Sequence, residues 1–269
     1  MSLKVLILAV VLPAWLLSQT GATTRPTFAV TSVKPNHMNC CTSGGVGDGG
    51  SVNRNVTLKG LIGTAYRIQG FRIFGGPGWI NTERYDADGK ADDPKADFDQ
   101  LRLMLRSLLE DRFGLKAHRE TRTTAVYALV VDKNGPKMKL SADQLSPDVH
   151  GPSAPGSALP NHGALRFGPG SVIGNAVQLS FFCSGFLSDA TERLVIDRTN
   201  LTGRYDIRLQ WTPDGESAAN SGGNSTAQPA EAGPSIFTAV LEQLGLRLEP
   251  VKAPVEVLVI DHAEKPSAN

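Results

Sequence analysis

The sequence predicts an α+β fold built of two related tandem units, each an antiparallel sheet with two amphipathic helices on one face. Three observations lead to this prediction. A set of motifs recurs in the second half of the chain, strand-like and helix-like periodicities alternate within each copy, and a stretch rich in Pro, Ser, Gly and Ala separates the copies. With 269 residues, 41% of them apolar, the chain can bury one large core or two modest ones.

The N-terminal segment has the pattern of a secretory signal peptide. A lysine precedes a short apolar run, Pro13 interrupts that run, and small residues follow near Ala22. A membrane anchor is the alternative, but the apolar run is shorter than the roughly 20 residues that a spanning helix needs. We therefore expect residues 1–22 to be cleaved and the mature protein to be extracytoplasmic, in the periplasm or secreted, with no membrane span.

The charge pattern excludes one class of partner. The formal net charge is +1, and no block of Lys or Arg is dense enough to follow a phosphate backbone. A nucleic-acid ligand is therefore not expected.

The first unit is predicted to span residues 27–140. A short strand leads to an amphipathic helix, a strand whose Arg-Tyr-Asp motif begins at Arg84, a second amphipathic helix and two further strands. The second helix is expected to begin with Asp99 as its N-cap and to end at Gly114. The apolar stripes of the two helices are Leu58, Leu61, Ile62, Ala65 and Tyr66, and Leu101, Met104, Leu105, Leu108 and Leu109.

The glycine-rich stretch "GGPGW", which ends at Trp79, is predicted to be a turn rather than a phosphate-binding loop. Its glycines lack the G-x-G-x-x-G or G-x-x-x-x-G-K-[ST] spacing, and Pro77 removes one backbone donor. Proline followed by glycine suits a type II turn. The following "WINTERYD" has the pattern of a strand, and Trp79 is expected to cover the core at the turn.

The second unit, predicted at residues 166–266, repeats the same order of elements. Its Arg-Tyr-Asp motif begins at Arg204, its second helix begins at Ser235, and its closing "PVEVLVID" matches "AVYALVVD" of the first unit. Residues 141–165 are predicted to be a linker, and residues 213–234 a disordered insertion, because neither segment has apolar periodicity.

Three cysteines are an odd number for an oxidising compartment. Cys40 and Cys41 are adjacent in a glycine-rich loop, where they would either bridge each other in a strained ring or pair elsewhere. Together with His37 they form the one cluster of metal-ligating residue types, for which a flexible loop with two thiols is the simpler interpretation. Cys183 lies on a helical apolar stripe and is expected to be a buried core thiol. No metal and no cofactor is expected.

The sequence contains no recognisable catalytic constellation. It has no G-x-S-x-G elbow, and its five histidines are scattered. Asp86 and Asp206 occupy equivalent positions and could form a carboxylate pair, but duplicated residues more often do the same structural job twice. No catalytic residue is therefore predicted, and Trp79 and Trp211 are the candidates for partner contact.

Several segments together resemble a known family, among them "FAVTSVKPN", "GGPGWINTERYD", "TNLTGRYDIRLQWTPD" and "GPSIFTAVLEQLGLRLEPVKAPVEVLVIDH". They are similar to the soil-associated family of uncharacterised secreted bacterial proteins, which is built on a domain of unknown function. Relatives of that domain that are joined to antibiotic-sensor metallopeptidases imply a sensory or interaction role. The family brings no catalytic residue to carry over, and Cys40 and Cys41 are not part of its pattern.

The leading hypothesis is a secreted or periplasmic, non-catalytic binding or interaction protein whose partner is an envelope protein or a cell-wall component. The alternative is a secreted hydrolase with its site between the two units. A third possibility, a small-molecule carrier, requires an enclosed apolar pocket. A concave cleft with convergent polar groups between the units would favour the hydrolase, and a flat strand edge would favour the binding protein.

Overall fold

The computed structural model has a mixed α+β architecture. It describes residues 25–38, 41–142, 144, 163, 165–213 and 233–266. The predicted signal peptide, Cys40, and most of the predicted linker and of the predicted insertion lie outside the described residues.

The described part of the chain forms four helices and twelve strands in three sheets. The helices are α1 (Leu58–Tyr66), α2 (Phe98–Phe113), α3, which begins at Leu179 and ends at Ala190, and α4 (Ile236–Leu244). Within α3, an α-helical turn (Leu179–Phe182) is followed by a π-helical turn (Cys183–Leu187) and a second α-helical turn (Ser188–Ala190). The strands are β1 (Val30–Asn36), β2 (Ser43–Gly47), β3 (Gly50–Thr57), β4 (Ile73–Gly75), β5 (Arg84–Lys90), β6 (Lys116–Val131), β7 (Lys139–Leu140), β8 (Leu165–Gly168), β9 (Ser171–Gln178), β10 (Val195–Asp197), β11 (Arg204–Gln210) and β12 (Leu246–His262).

The two outer sheets have the same connectivity. The first outer sheet has the strand order β1-β5-β3-β2, and the second has the order β7-β11-β9-β8. In both, the strand that precedes a helix pairs antiparallel with the strand that carries the Arg-Tyr-Asp motif, as β3 does with β5 and β9 with β11. The predicted α+β class with antiparallel sheets is confirmed for these two layers.

The helix termini follow from local capping chemistry. Asp97 caps α2 in a capping box with Gln100, so the predicted N-cap at Asp99 is wrong by two residues. Gly114 ends α2 in the left-handed conformation, with φ of 56°, as predicted. Ser235 accepts a hydrogen bond from the Thr238 amide at the start of α4, which confirms the predicted beginning of that helix.

A long two-stranded ribbon lies at the centre of the third sheet, whose order is β10-β6-β12-β4. The sequence predicts two strands at the end of each unit, whereas β6 and β12 are single strands of 16 and 17 residues. They pair antiparallel with each other, from Leu246 opposite Val131 to His262 opposite Lys116. Because β12 pairs with β6 along nearly its whole length, it satisfies the backbone groups of the polar segment "HRETRTT" of β6, and no turn is needed there.

Through the central ribbon, each half of the chain contributes residues to the hydrophobic core of the other half. Leu258 (0% exposed) and Ile260 (3%) come from β12 but pack with α1 and α2 in the core beside the first outer sheet. Leu129 (0%) comes from β6 but packs with α3 and α4 in the core beside the second outer sheet. Each half of the molecule therefore contains a strand segment from the other half of the sequence, instead of keeping its own last strands in its own layer.

The glycine-rich stretch is a turn, but not the predicted one. Gly75 and Gly76 have φ of 77° and 74°, and Gly78 begins a 3-10 turn instead of adopting the positive φ of a type II turn. The strand begins only at Arg84. A Cβ on Gly75 would lie 2.8 Å from the Ile260 carbonyl oxygen, so glycine is needed where this turn meets β12.

The predicted burial of Cys183 is confirmed. The residue is 1% exposed and begins the π-helical turn of α3. The turn is stabilised by Ser188, whose hydroxyl donates to the Cys183 carbonyl and accepts from the Val195 amide, at 2.8 Å in each case. Burial raises the pKa of the Cys183 thiol well above its ordinary value, so almost no thiolate is present near neutral pH.

Thiol labelling should distinguish Cys183 from Cys41. Cys41 is exposed, whereas Cys183 is buried. After reduction, we expect a thiol reagent to modify Cys41 in the folded protein but Cys183 only after denaturation, because the reactive thiolate must be accessible. Peptide mapping by mass spectrometry measures both sites, and rapid native labelling of Cys183 would contradict its place in the core.

Candidate functional site

The first Arg-Tyr-Asp motif holds a backbone bulge in the neighbouring strand. Asn55 of β3 has φ of 56°, and the register with β5 shifts at this position. Asp86 Oδ1 accepts a hydrogen bond from the Asn55 amide at 2.9 Å, and Arg84 Nη1 donates to the Asn55 carbonyl at 2.9 Å. Between them Tyr85, 2% exposed, points into the core. The motif thus holds one strained residue from both sides.

The second motif makes the same contacts. Ala176 of β9 has φ of 50°, Asp206 Oδ1 accepts from its amide at 3.0 Å, and Arg204 Nη1 donates to its carbonyl at 3.2 Å. Tyr205 is 8% exposed. Asp86 and Asp206 therefore lie in separate sheets and have the same structural role, as the simpler of the two hypotheses predicts.

Titration of Asp86 should contribute to acid unfolding. Hydrogen bonds from the Asn36 side chain and the Asn55 amide lower the pKa of Asp86 below its ordinary value. Because the folded-state pKa is lowered, the hydrogen bonds to the Asp86 carboxylate contribute their full stability above the unfolded-state pKa, which is near pH 4. This stability is lost as the pH falls through the folded-state pKa. Denaturant unfolding followed between about pH 2 and about pH 6 should show a shallower loss of stability for Asp86→Asn than for the wild type.

An open cleft lies where the first outer sheet ends, and we call it the end cleft. Its volume is ≈ 620 Å³. Three distant segments form it: the end of β1, the approach to β5 and the residues after β12. The lining residues are Pro35, Asn36, His37, Met38, Thr82, Glu83, Arg84, Tyr85, Lys265 and Pro266.

Three ionisable groups of the end cleft, those of Glu83, Tyr85 and Lys265, are joined by hydrogen bonds. The Glu83 carboxylate accepts hydrogen bonds from Lys265 Nζ and, at 3.0 Å, from the Tyr85 hydroxyl. The bond from Lys265 is the main cause that lowers the pKa of Glu83. Burial, followed by the bond to Glu83, raises the pKa of Tyr85 to about 12. Both shifts are directed away from neutral pH, which is the opposite of what general acid–base catalysis requires.

The Arg84 guanidinium is fixed in the end cleft by one of its nitrogens. Nη1 donates to the Thr42 hydroxyl and to the Asn55 carbonyl, each at 2.9 Å. Within the described ranges, Arg84 Nε and Nη2 have no hydrogen-bond partner and no carboxylate lies within ion-pair distance. The side chain is exposed. A guanidinium edge is therefore held in place and left available to a ligand.

The second half of the molecule closes the equivalent position. Gly203 stands where the first motif has Glu83, and a Cβ there would lie 2.9 Å from Gln144 Oε1. The Gln144 side chain accepts from the Arg204 amide at 2.9 Å and donates to the Arg204 carbonyl at 3.0 Å. Arg204 is 8% exposed, in contrast to Arg84. The two halves share the bulge contacts but differ at the cleft.

A comparison with protein families assigns the chain. Residues 59–263 match the family described as "Protein of unknown function (DUF3738)". The chain belongs to this family. No curated protein and no solved structure matches it. The DUF3738 match includes both Arg-Tyr-Asp motifs and the whole central ribbon. It leaves out β1, β2, β3 and Lys265, so part of the end cleft lies beyond the matched residues.

The two tryptophans predicted as partner contacts are half-buried in this DUF3738 chain. Trp79 stacks on Phe113 and meets Tyr85 edge-on, each with ring centroids 6.4 Å apart, so it covers the core as expected. Trp211 packs against Phe186 with centroids 5.3 Å apart. Their role as partner contacts stays a prediction.

The predicted cysteine and metal features are only partly described. Cys41 is exposed and Cys40 lies outside the described residues, so a bridge between them stays a prediction. His37 is exposed and lines the end cleft. In the part of the chain that the structure covers, no group of three His, Cys, Asp or Glu side chains is arranged to hold a metal ion. None of the four described helices is long and apolar enough to cross a membrane.

A smaller groove of ≈ 180 Å³ lies between the halves of the DUF3738 chain, where the hydrolase hypothesis expects a site. Its lining residues are Phe71, Arg72, Phe74, Thr124, Ala125, Val126, Glu192, Arg193, Leu194, Val255 and Val257. Among them are one carboxylate, Glu192, and one hydroxyl, Thr124, with no histidine or cysteine. This set contains no nucleophile paired with a base.

The end cleft was not predicted from the sequence. Its parts are separated by most of the chain, and no motif spacing connects them. One signal was present: the otherwise matching "TERYD" and "TGRYD" differ at Glu83 and Gly203. A charged residue in one motif where the otherwise matching motif has glycine marks a position at which the two halves of the sequence differ.

Proposed function

We propose that this protein is a non-catalytic binding or interaction protein that acts outside the cytoplasm and takes its ligand in the end cleft. The observation that carries the proposal is the fixed, exposed guanidinium edge of Arg84 in a cleft of ≈ 620 Å³. The neighbouring Glu83 and Tyr85 are held in protonation states unsuited to proton transfer, which supports binding rather than catalysis.

We further propose that the chain consists of two related tandem units, at residues 27–140 and 166–266, which arose by duplication. The identical strand order of the outer sheets and the two equivalent bulge contacts support this origin. After a duplication, one copy can keep a structural role while the other acquires a ligand site. The open cleft beside Arg84 and the closed position beside Arg204 are consistent with that division.

The proposed partner is an envelope protein or a cell-wall component, and the protein's role with it is one of binding or sensing. The signal-peptide pattern of residues 1–22 supports a location in the periplasm or outside the cell. An exposed site that performs no chemistry is suited to recognising a molecule in that compartment.

Capture from the native envelope tests the proposal. Mature protein is incubated with the envelope fraction, crosslinked briefly, and the retained components are identified by mass spectrometry. We expect the wild type to retain a specific component, and excess free protein to compete with this retention. The double variant His37→Ala, Lys265→Ala should fail to retain that component. Lys252→Ala, an exposed lysine on the central ribbon, is the matched control and should retain it. Equal retention by the cleft variant would exclude the end cleft as the site.

The alternative hypothesis remains a secreted hydrolase with its site between the units. A substrate screen with the wild type and with Glu192→Gln, which removes the one carboxylate of the groove, tests it directly. A saturable hydrolytic activity that this substitution abolishes would replace the binding proposal with the hydrolase.

A further inference from the structure

We propose that the end cleft recognises a carboxylate, carried by a small molecule or by the C-terminal end of a peptide. This inference rests on the proposed binding function and specifies the chemical class of the ligand. It follows from the geometry of Arg84, from the charges that surround it and from the way in which the second half of the molecule closes the same position.

The geometry of Arg84 leaves one edge of the guanidinium for a ligand. Nη1 is occupied by the Thr42 hydroxyl and the Asn55 carbonyl. The remaining edge carries Nε–H and one Nη2–H, which point in parallel. Two parallel N–H groups match the two oxygens of a carboxylate in a bidentate pair, the strongest hydrogen-bonded arrangement that arginine forms.

The surrounding charges favour an anion. Glu83 is paired with Lys265, and Asp86 is engaged by Asn36 and by the bulge amide, so these carboxylates are already satisfied. Lys34 lies opposite Asp86 on β1 and adds a further positive charge on this face of the sheet. The charge of Arg84 therefore has no nearby carboxylate partner in the described structure, and a ligand carboxylate would supply one.

The cleft is larger than a carboxylate alone. Met38, which is 59% exposed, and the two prolines Pro35 and Pro266 line it beside the charged groups. Apolar surface next to a fixed charged donor suits a carboxylate that carries an apolar side chain. A peptide that ends in a small apolar residue has this combination.

The second half of the molecule fills the position that corresponds to the end cleft. There, the side-chain amide of Gln144 from the same chain binds the Arg204 backbone and fills the space. At the end cleft, by contrast, Arg84 is exposed. The second half therefore fills with its own chain a position that the first half leaves open to a ligand.

Titration of the isotope-labelled mature protein with three defined probes tests the proposal. The probes are N-acetyl-alanyl-alanine with a free carboxylate, the same dipeptide as its C-terminal amide, and inorganic phosphate. We expect the free acid to shift the amide resonances of the end cleft saturably and the peptide amide to leave them unchanged. Arg84→Lys, which keeps the charge but loses the parallel N–H groups, should weaken binding of the acid by about tenfold or more.

Controls separate recognition from folding. Arg208→Lys changes an exposed arginine in the second outer sheet and should leave binding of the acid unchanged. The resonances of the bulge at Asn55 report whether Arg84→Lys preserves the sheet. If they move, the double variant His37→Ala, Lys265→Ala, which leaves the bulge contacts intact, is used instead and should also weaken binding.

Three outcomes would overturn the inference: equal shifts with the acid and the peptide amide, shifts with phosphate but not with the acid, and no shift with any probe. The envelope experiment separates such a failure from failure of the proposed function. If none of the probes binds but an envelope component is still lost from the cleft variant, the end cleft binds a ligand of another class. If that component is also retained by the cleft variant, the proposed function itself is wrong.

Discussion

Replacing Leu258 by alanine is expected to destabilise the first half of the molecule, although Leu258 belongs to β12 in the second half of the sequence. Its side chain is 0% exposed and packs in the core of α1 and α2. Truncating a fully buried leucine removes apolar contacts and leaves a cavity, at a cost of about 2–5 kcal/mol in the free energy of unfolding. The loss should appear in the segments that surround this core.

Leu129→Ala is the matched substitution. Leu129 is also 0% exposed and occupies the corresponding position of the matching segment "AVYALVVD", but it packs in the core of α3 and α4. Native-state hydrogen exchange measures both variants. Leu258→Ala should accelerate exchange in α1 and α2, and Leu129→Ala in α3 and α4. Faster exchange of α4 in Leu258→Ala, with α1 and α2 unaffected, would show that the halves do not exchange core residues.

Replacing Asp86 by alanine is expected to cost about 1.5–3 kcal/mol of stability. The carboxylate accepts from the Asn55 amide at 2.9 Å and from Asn36 Nδ2 at 2.7 Å, and both bonds are lost. Without them, the positive φ of Asn55 must be maintained by the remaining contacts. Asp206→Ala should cost less, since Asp206 is exposed and, in the described structure, accepts one hydrogen bond, from the Ala176 amide at 3.0 Å.

Asp88→Ala is the control for the bulge contact. Asp88 lies two residues further along β5 on the same face and forms an ion pair with Arg54 at the surface. Exposed ion pairs contribute little, so this substitution should change stability by less than about 1 kcal/mol. Urea unfolding at neutral pH measures all three variants. If Asp86→Ala and Asp88→Ala had the same small effect, the hydrogen bonds of the motif would not support the bulge.

Features with a local signal were predictable from the sequence. The helical stripes and the stop at Gly114 depend on residues within one turn of each other, and both were confirmed. The burial of Tyr85 and Tyr205 likewise follows from the alternation of side chains along a strand. The error at the N-cap of α2 arose because Asp97 and Asp99 are both acceptable caps, and only the capping box with Gln100 decides between them.

Features that depend on distant pairing were not predictable. The periodicity of β6 and β12 indicates strands, but nothing in it specifies that each strand pairs with the other instead of with its own unit. The end cleft had the same limitation, because Asn36, Arg84 and Lys265 meet only after the sheets have formed. The difference between Glu83 and Gly203 marked the position, but it carried no information on which side chains would join it.

The exchange of strands through the central ribbon also determines when the protein can complete its folding during synthesis. Leu258 and Ile260, which close the first core, are synthesised long after α1 and α2, because the whole second outer sheet lies between them in the sequence. Chain growth proceeds at about 5–20 residues per second, so the first half must wait several seconds for them with its core incomplete. A nascent or truncated chain that ends before β12 is therefore not a smaller folded protein, and it exposes apolar surface to chaperones and proteases.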